Sequence, residues 1–193
     1  TNKFSQMYDL LATPNMFRTA SGAPGPAYYQ QKADYKMDIE LDDKNTKLYG
    51  KGTITYHNNA PESLEYLWIQ LDQNQSARTS KSPLIQSQKM DQAMTPEGFT
   101  KKFMEEGFDG GFHIEYVNDS KGKPMKYTIN QTMMRIDLPT PLKSKEKIEI
   151  NMKWWYLINN YRIYGGRSGY EHFDSDGNNL YVIAQFYPRM EVY

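Results

Sequence analysis

Alternation of apolar and polar positions dominates the chain from residue 33 onward. Ala33, Tyr35, Met37, Ile39 and Leu41 are separated by Asp34, Lys36, Asp38 and Glu40. This is the two-residue period of a strand with one wet face. A polar turn follows at Asp42-Asp43-Lys44-Asn45. Leu48, Gly50, Gly52, Ile54 and Tyr56 then alternate with Lys51, Thr53 and Thr55, which predicts a second strand and an antiparallel hairpin. Beyond a turn at Asn58-Asn59-Ala60-Pro61, residues 64–71 are apolar on both faces and predict a deeply buried strand. Further strand patterns occupy residues 110–117, 125–129, 132–138, 147–154 and 180–187, with a break at Pro139-Thr140-Pro141.

Other stretches lack this period. Phe4, Met7, Tyr8, Leu10 and Leu11 fall at helical spacings and predict a short amphipathic helix, which ends before Pro14. Residues 20–26 are rich in Gly and Pro and read as an extended surface arm. Residues 72–111 form one long loop insertion, with a short helix expected over 96–107. Residues 159–179 read as a Gly-, Arg-, Tyr- and Asn-rich loop. The sum is a mainly β chain, an antiparallel β-sandwich with a short N-terminal helix. The expected division is 1–28 for the helix and arm and 29–193 for the sandwich. The sandwich is expected to be cut at its C-terminal end, because the chain stops just after an apolar strand.

Composition narrows the function. Lys plus Arg and Asp plus Glu each number 23, for a net charge of zero. That balance argues against a nucleic-acid clamp and against a polybasic membrane patch. Mean hydropathy is -0.82, but 3 Trp, 16 Tyr and 8 Phe supply the area for a core. No transmembrane segment is expected, since no run approaches ~20 apolar residues. Cysteine is absent, which excludes disulfides, thiolate zinc sites and cysteine nucleophiles.

Candidate chemistry is sparse. His57, His113 and His172 lack the spacing of a helical zinc pair. His113 and Glu115 share a strand face, as half of a metal site or as an ordinary ladder pair, and the ladder is the simpler account. Asp174, Asp176 and Asn178 resemble the start of a calcium loop, but Ala184 and Gln185 stand where its distal Glu would fall. These residue types also make turns. Ser168, within Gly165-Gly166-Arg167-Ser168-Gly169, lacks the strand-turn-helix context of a nucleophile elbow. Trp154, Trp155, Tyr156, Tyr161, Tyr164 and Tyr170 form an aromatic cluster near Asn and Arg, suited to sugar binding or simply to burial across the sandwich.

Several segments in order carry a family resemblance. They are Thr13-Pro-Asn15, Tyr29-Gln-Gln-Lys-Ala-Asp-Tyr35, Leu41-Asp-Asp43, Leu48-Tyr-Gly50, Ile54-Thr-Tyr-His-Asn-Asn59, Leu67-Trp-Ile-Gln-Leu-Asp-Gln-Asn74 and Ala184-Gln-Phe-Tyr-Pro-Arg189. Together they resemble the N-terminal β-domain of the aminopeptidase N family of zinc metallopeptidases, the gluzincins, in a bacterial envelope form. The resemblance implies a saddle-like sandwich that walls one side of the substrate cleft. It implies that zinc belongs to a downstream catalytic domain of the same polypeptide, held by a His-Glu-x-x-His helix and a later Glu. A Gly-x-Met-Glu-Asn loop of that domain would bind the substrate's amino terminus.

This sequence contains none of those catalytic motifs. No catalytic residue, metal ligand or cofactor is therefore expected in this chain. Gln185 is the position matched to the family's residue for the free amino group of a peptide substrate. The alternative is an independent carbohydrate- or protein-binding module. A periplasmic, envelope or secreted location follows from the resemblance and from the opening Thr1, read as a processed start. Self-association through the C-terminal strand is also expected.

Overall fold

A computed structural model describes residues 14–81, 95–96, 107–164 and 167–191. The helix expected over residues 4–11, and all but the ends of that expected over 96–107, lie outside the described residues. The chain is mainly β, with antiparallel sheets. One four-stranded sheet has the order β1 (Lys32–Asp42), β2 (Lys47–His57), β7 (Lys147–Leu157), β4 (His113–Asp119). A second has the order β10 (Arg189–Met190), β3 (Leu64–Gln70), β6 (Met133–Leu142), β5 (Tyr127–Asn130). A separate hairpin joins β8 (Gly169–Phe173) to β9 (Asn178–Val182), preceded by a helical turn, α1 (Tyr161–Tyr164).

The alternation seen in the sequence faces the two main sheets toward each other. Leu48, Ile54 and Tyr56 of β2 and Ile150, Met152, Trp154 and Tyr156 of β7 are buried against Leu67 and Ile69 of β3 and Met134 and Ile136 of β6. Gly50 lies opposite Trp154 in the β2–β7 register. A Cβ there would run into the indole, so glycine makes room for the ring. Asn58 closes β2 from a fully buried position. Its amide donates to the carbonyls of Glu62 and Leu142, and its oxygen accepts from Ala60 N–H and the Gln31 amide. All of its hydrogen-bonding capacity is thereby used.

Four expectations change. The strand expected over 132–138 continues to Leu142 through both prolines. It does so beside a register irregularity between Leu64 and Tyr66, the setting in which a sheet tolerates Pro. The strand at 64–71 is covered on one face only, since Tyr66 and Trp68 are 41% and 39% exposed. The loop expected over 159–179 contains α1 and β8. The strand expected over 180–187 is shorter: β9 ends at Val182 and the chain bends before β10. Among the described residues no helix is long and apolar enough to cross a membrane.

Candidate functional site

Three of the segments that carry the resemblance, residues 29–35, 67–74 and 184–189, meet in space. Leu71 follows β3 and caps a 3-10 turn that begins at Asp72. The Asp72 carboxylate is 7% exposed. It accepts Nε–H and Nη2–H from Arg189 at 2.9 and 3.1 Å. This two-pronged ion pair joins positions far apart in sequence and satisfies a buried charge. The neighbouring Gln73 amide donates to the carbonyls of Ala184 and Gln185 at 2.9 and 3.2 Å. Trp154 Nε1–H donates to the Phe186 carbonyl at 3.1 Å. Tyr35 packs edge-on to Tyr187, and its hydroxyl accepts the Met190 N–H at 2.8 Å. Burial raises the Tyr35 phenol above its ordinary value.

Gln185 sits at the centre of these tethers. It is exposed and lies in a bend, with φ of 54°. Thr46, Gln131 and Lys145 also have positive φ, but each belongs to a short turn linking consecutive strands, β1 to β2 and β5 to β6 within a sheet and β6 to β7 between the sheets. Gln185 is the exception, in a sparsely populated conformation held by its surroundings. Its Nε2–H donates to Asp72 Oδ1 at 3.3 Å. A carboxylate that only accepts fixes the amide nitrogen on that side, and the amide oxygen is left to accept from a donor. Sequence reasoning singled out Gln185 but put it in a strand. It missed Asp72, Gln73 and Arg189 as the frame. Their signal was available, because a charge inside a strand-end segment calls for a charged partner.

The other candidates do not converge. His113 stacks on Trp155 at 3.8 Å and approaches Asp109 at 3.7 Å. Glu115 instead pairs with Lys153 at 2.7 Å, beside a bulge in the β4–β7 register. His57 meets Asp34, and His172 meets Asn179. Ser168 donates to the Val182 carbonyl and accepts from Ala184 N–H, closing the open end of the β8–β9 hairpin. Residues 174–177 form the turn of that hairpin, where Asp176 accepts the Asn178 N–H. Among the described residues no three His, Asp or Glu side chains gather as metal ligands.

The aromatic cluster is divided by the pleat. Trp154 and Tyr156 face the core, Tyr170 packs beside Tyr181, and Tyr161 and Tyr164 are exposed on α1. Trp155 points outward. His113 of β4 covers one face of its indole, and the Lys47 ammonium of β2 lies 3.5 Å from its ring centre. These two groups arrive from strands on opposite sides of β7, so neither face of the ring is free.

No protein-family model matches the sequence, and no curated protein matches it. Solved structures similar to the chain include an M1 zinc metallopeptidase from Deinococcus radiodurans, at 12% identity and TM-score 0.41. That match covers 71% of this chain and 22% of the other. A mutant of the enzyme from the same organism aligns at 12% identity and TM-score 0.42, covering 77% and 25%. A two-domain M1 zinc metallopeptidase mutant bound to L-tryptophan aligns at 12% and 0.41, covering 72% and 23%. The chain thus spans about a quarter of the length of the solved structures it matches.

Proposed function

We propose that the chain is the non-catalytic N-terminal β-domain of an aminopeptidase-like zinc metallopeptidase, forming one wall of the substrate cleft. In this reading zinc and the reacting water belong to a downstream catalytic domain, and the parent removes N-terminal residues from peptides outside the cytoplasm. This chain binds and orients. The carrying observation is the convergence of two segments of the resemblance, residues 67–74 and 184–189, on the bend that presents Gln185. The exposed oxygen of a positioned amide suits the ammonium of a peptide's free amino end, which offers donors only. Such a charge-assisted hydrogen bond contributes about 1.5–3 kcal/mol.

The first check is the coding sequence beyond Tyr193, where a His-Glu-x-x-His helix is expected and an unrelated domain overturns the reading. In the parent, Gln185→Ala should raise KM for an aminoacyl-anilide about tenfold or more. An unchanged KM removes Gln185 from the pocket. The isolated chain, given zinc and the anilide, should release no product. Chelator-sensitive turnover by it alone contradicts the non-catalytic assignment. Fractionation that finds the parent only in the cytosol contradicts the location.

A further inference from the structure

The uncovered face of the second sheet is organised in rows. Trp68, Arg135 and Thr128 stand side by side across β3, β6 and β5. Gln70, Met133 and Asn130 form the next row. Tyr66 and Asp137 form a third, flanked by Lys126. Rows two residues apart lie about 7 Å from one another, on strands about 4.8 Å apart. Six of these residues line a shallow cavity of about 440 Å³: Trp68, Lys126, Thr128, Asn130, Arg135 and Asp137.

The cavity offers one kind of chemistry. Trp68 is exposed, edge-on to Tyr66 at 6.1 Å. Arg135 donates to Asp137 at 2.8 Å and lies 4.1 Å over the Tyr66 ring, so its guanidinium is held flat and largely neutralised. Lys126 stands 3.6 Å from the same carboxylate. Among the described residues the Trp68 indole N–H, the Thr128 hydroxyl and the Asn130 side-chain amide make no hydrogen bond. An exposed ring thus sits beside unpaired donors and acceptors on a rigid sheet. Asp137 offsets one of the two cations and leaves a single net positive charge, too little to hold a polyanion, which needs many cations. Across β3 and β6 the backbone groups are used in pairing, so a peptide could add as a strand only along the outer edge of β5 and not over the Trp68 ring. A pyranose fits on both counts, since its apolar C–H face stacks on an indole while its hydroxyls both donate and accept.

We propose that the Trp68–Asn130 face binds a neutral hexopyranose chain. The proposal does not depend on the peptidase reading. Isotope-labelled chain titrated with cellohexaose, laminarihexaose and mannohexaose tests it by NMR. The Trp68 indole and Asn130 side-chain amide resonances should shift together, saturably, with at least one of these sugars. Trp68→Ala should abolish saturation. Asn130→Ala should weaken it about 2- to 10-fold, the worth of one neutral hydrogen bond. Trp155→Phe should leave it unchanged. The proposal is overturned by the absence of saturable shifts with all three sugars, or by shifts that leave the Trp68 and Asn130 resonances still. Because Asn130 and the wild-type indole resonance report independently, a folding defect in Trp68→Ala does not block the test.

Discussion

Strand β7 and the segment that follows it, residues 159–191, are neighbours in sequence but are held differently. β7 is flanked by β2 and β4 along most of its length. Ile150, Met152, Trp154 and Tyr156 point into the core. In the later segment β8 pairs with β9 and, through one bridge at Tyr170, with Asn160 of the same segment, and β10 contributes two residues beside β3. Leu180 and Val182 remain 53% and 55% exposed. Residues 183–190 are fastened by side chains reaching from elsewhere: Asp72, Gln73, Trp154 and Tyr35. Apolar burial scales with area and is shared across the core, whereas a few directional tethers let a segment open by itself. The more loosely fastened region is the one that presents Gln185.

The comparison is broken most directly in the core. Ile150→Ala should cost about 2–5 kcal/mol of global stability in urea denaturation. A loss confined to one sheet would mean that the two sheets do not share a core. Asp72→Ala should cost less, about 1–3 kcal/mol, and the loss should appear as faster amide exchange over 183–191. Equal deprotection of β7 would show that the segment is not separately fastened.

Tyr156 supplies a smaller effect of opposite sign. Its hydroxyl is buried with no hydrogen-bond partner among the described residues, and burial pushes the phenol strongly up. Tyr156→Phe should leave stability unchanged or raise it by about 1 kcal/mol. A clear loss would reveal a partner for the hydroxyl.

The hairpin tether should respond to pH. Burial, and then the Asp43 carboxylate, push the Tyr181 phenol up to about 12. Hydrogen bonds from Asn179 and Tyr181 hold Asp43 below its ordinary value. The Tyr181 contribution is complete below the ordinary value of 10.0 and is lost as pH rises toward about 12. The Asp43 contribution is present above its ordinary 3.8 and fades as pH falls through its lower folded value. Difference absorbance against Tyr181→Phe should place the phenolate transition near 12, and Asp43→Asn should return it toward 10. A normal transition in the wild type would mean that the tether is absent.

Least costly to the fold is Leu180→Lys combined with Val182→Lys, expected within about 0.5 kcal/mol of wild type. The pair should nonetheless suppress concentration-dependent light scattering if the exposed β9 face drives self-association. A wild-type chain that stays monomeric at high concentration contradicts that expectation.

Period-two alternation and polar turns were sufficient to locate β1, β2, β4 and β7, because a side chain's face along a strand is set by local geometry. The same rule failed at residues 180–187, where the apolar positions continue to alternate but Gln185 turns left-handed and Pro188 offers no N–H. It failed differently at Trp68, because periodicity cannot say whether anything covers a strand's second face. Ile54 and Ile150 are inward by pattern alone. The pairing of Asp72 with Arg189, the seat of Gln185 and the closed faces of Trp155 depend on contacts between residues remote in sequence. Only the tertiary structure decided these, because hydrogen bonds and ring stacking act over a few ångströms and leave no period in the chain.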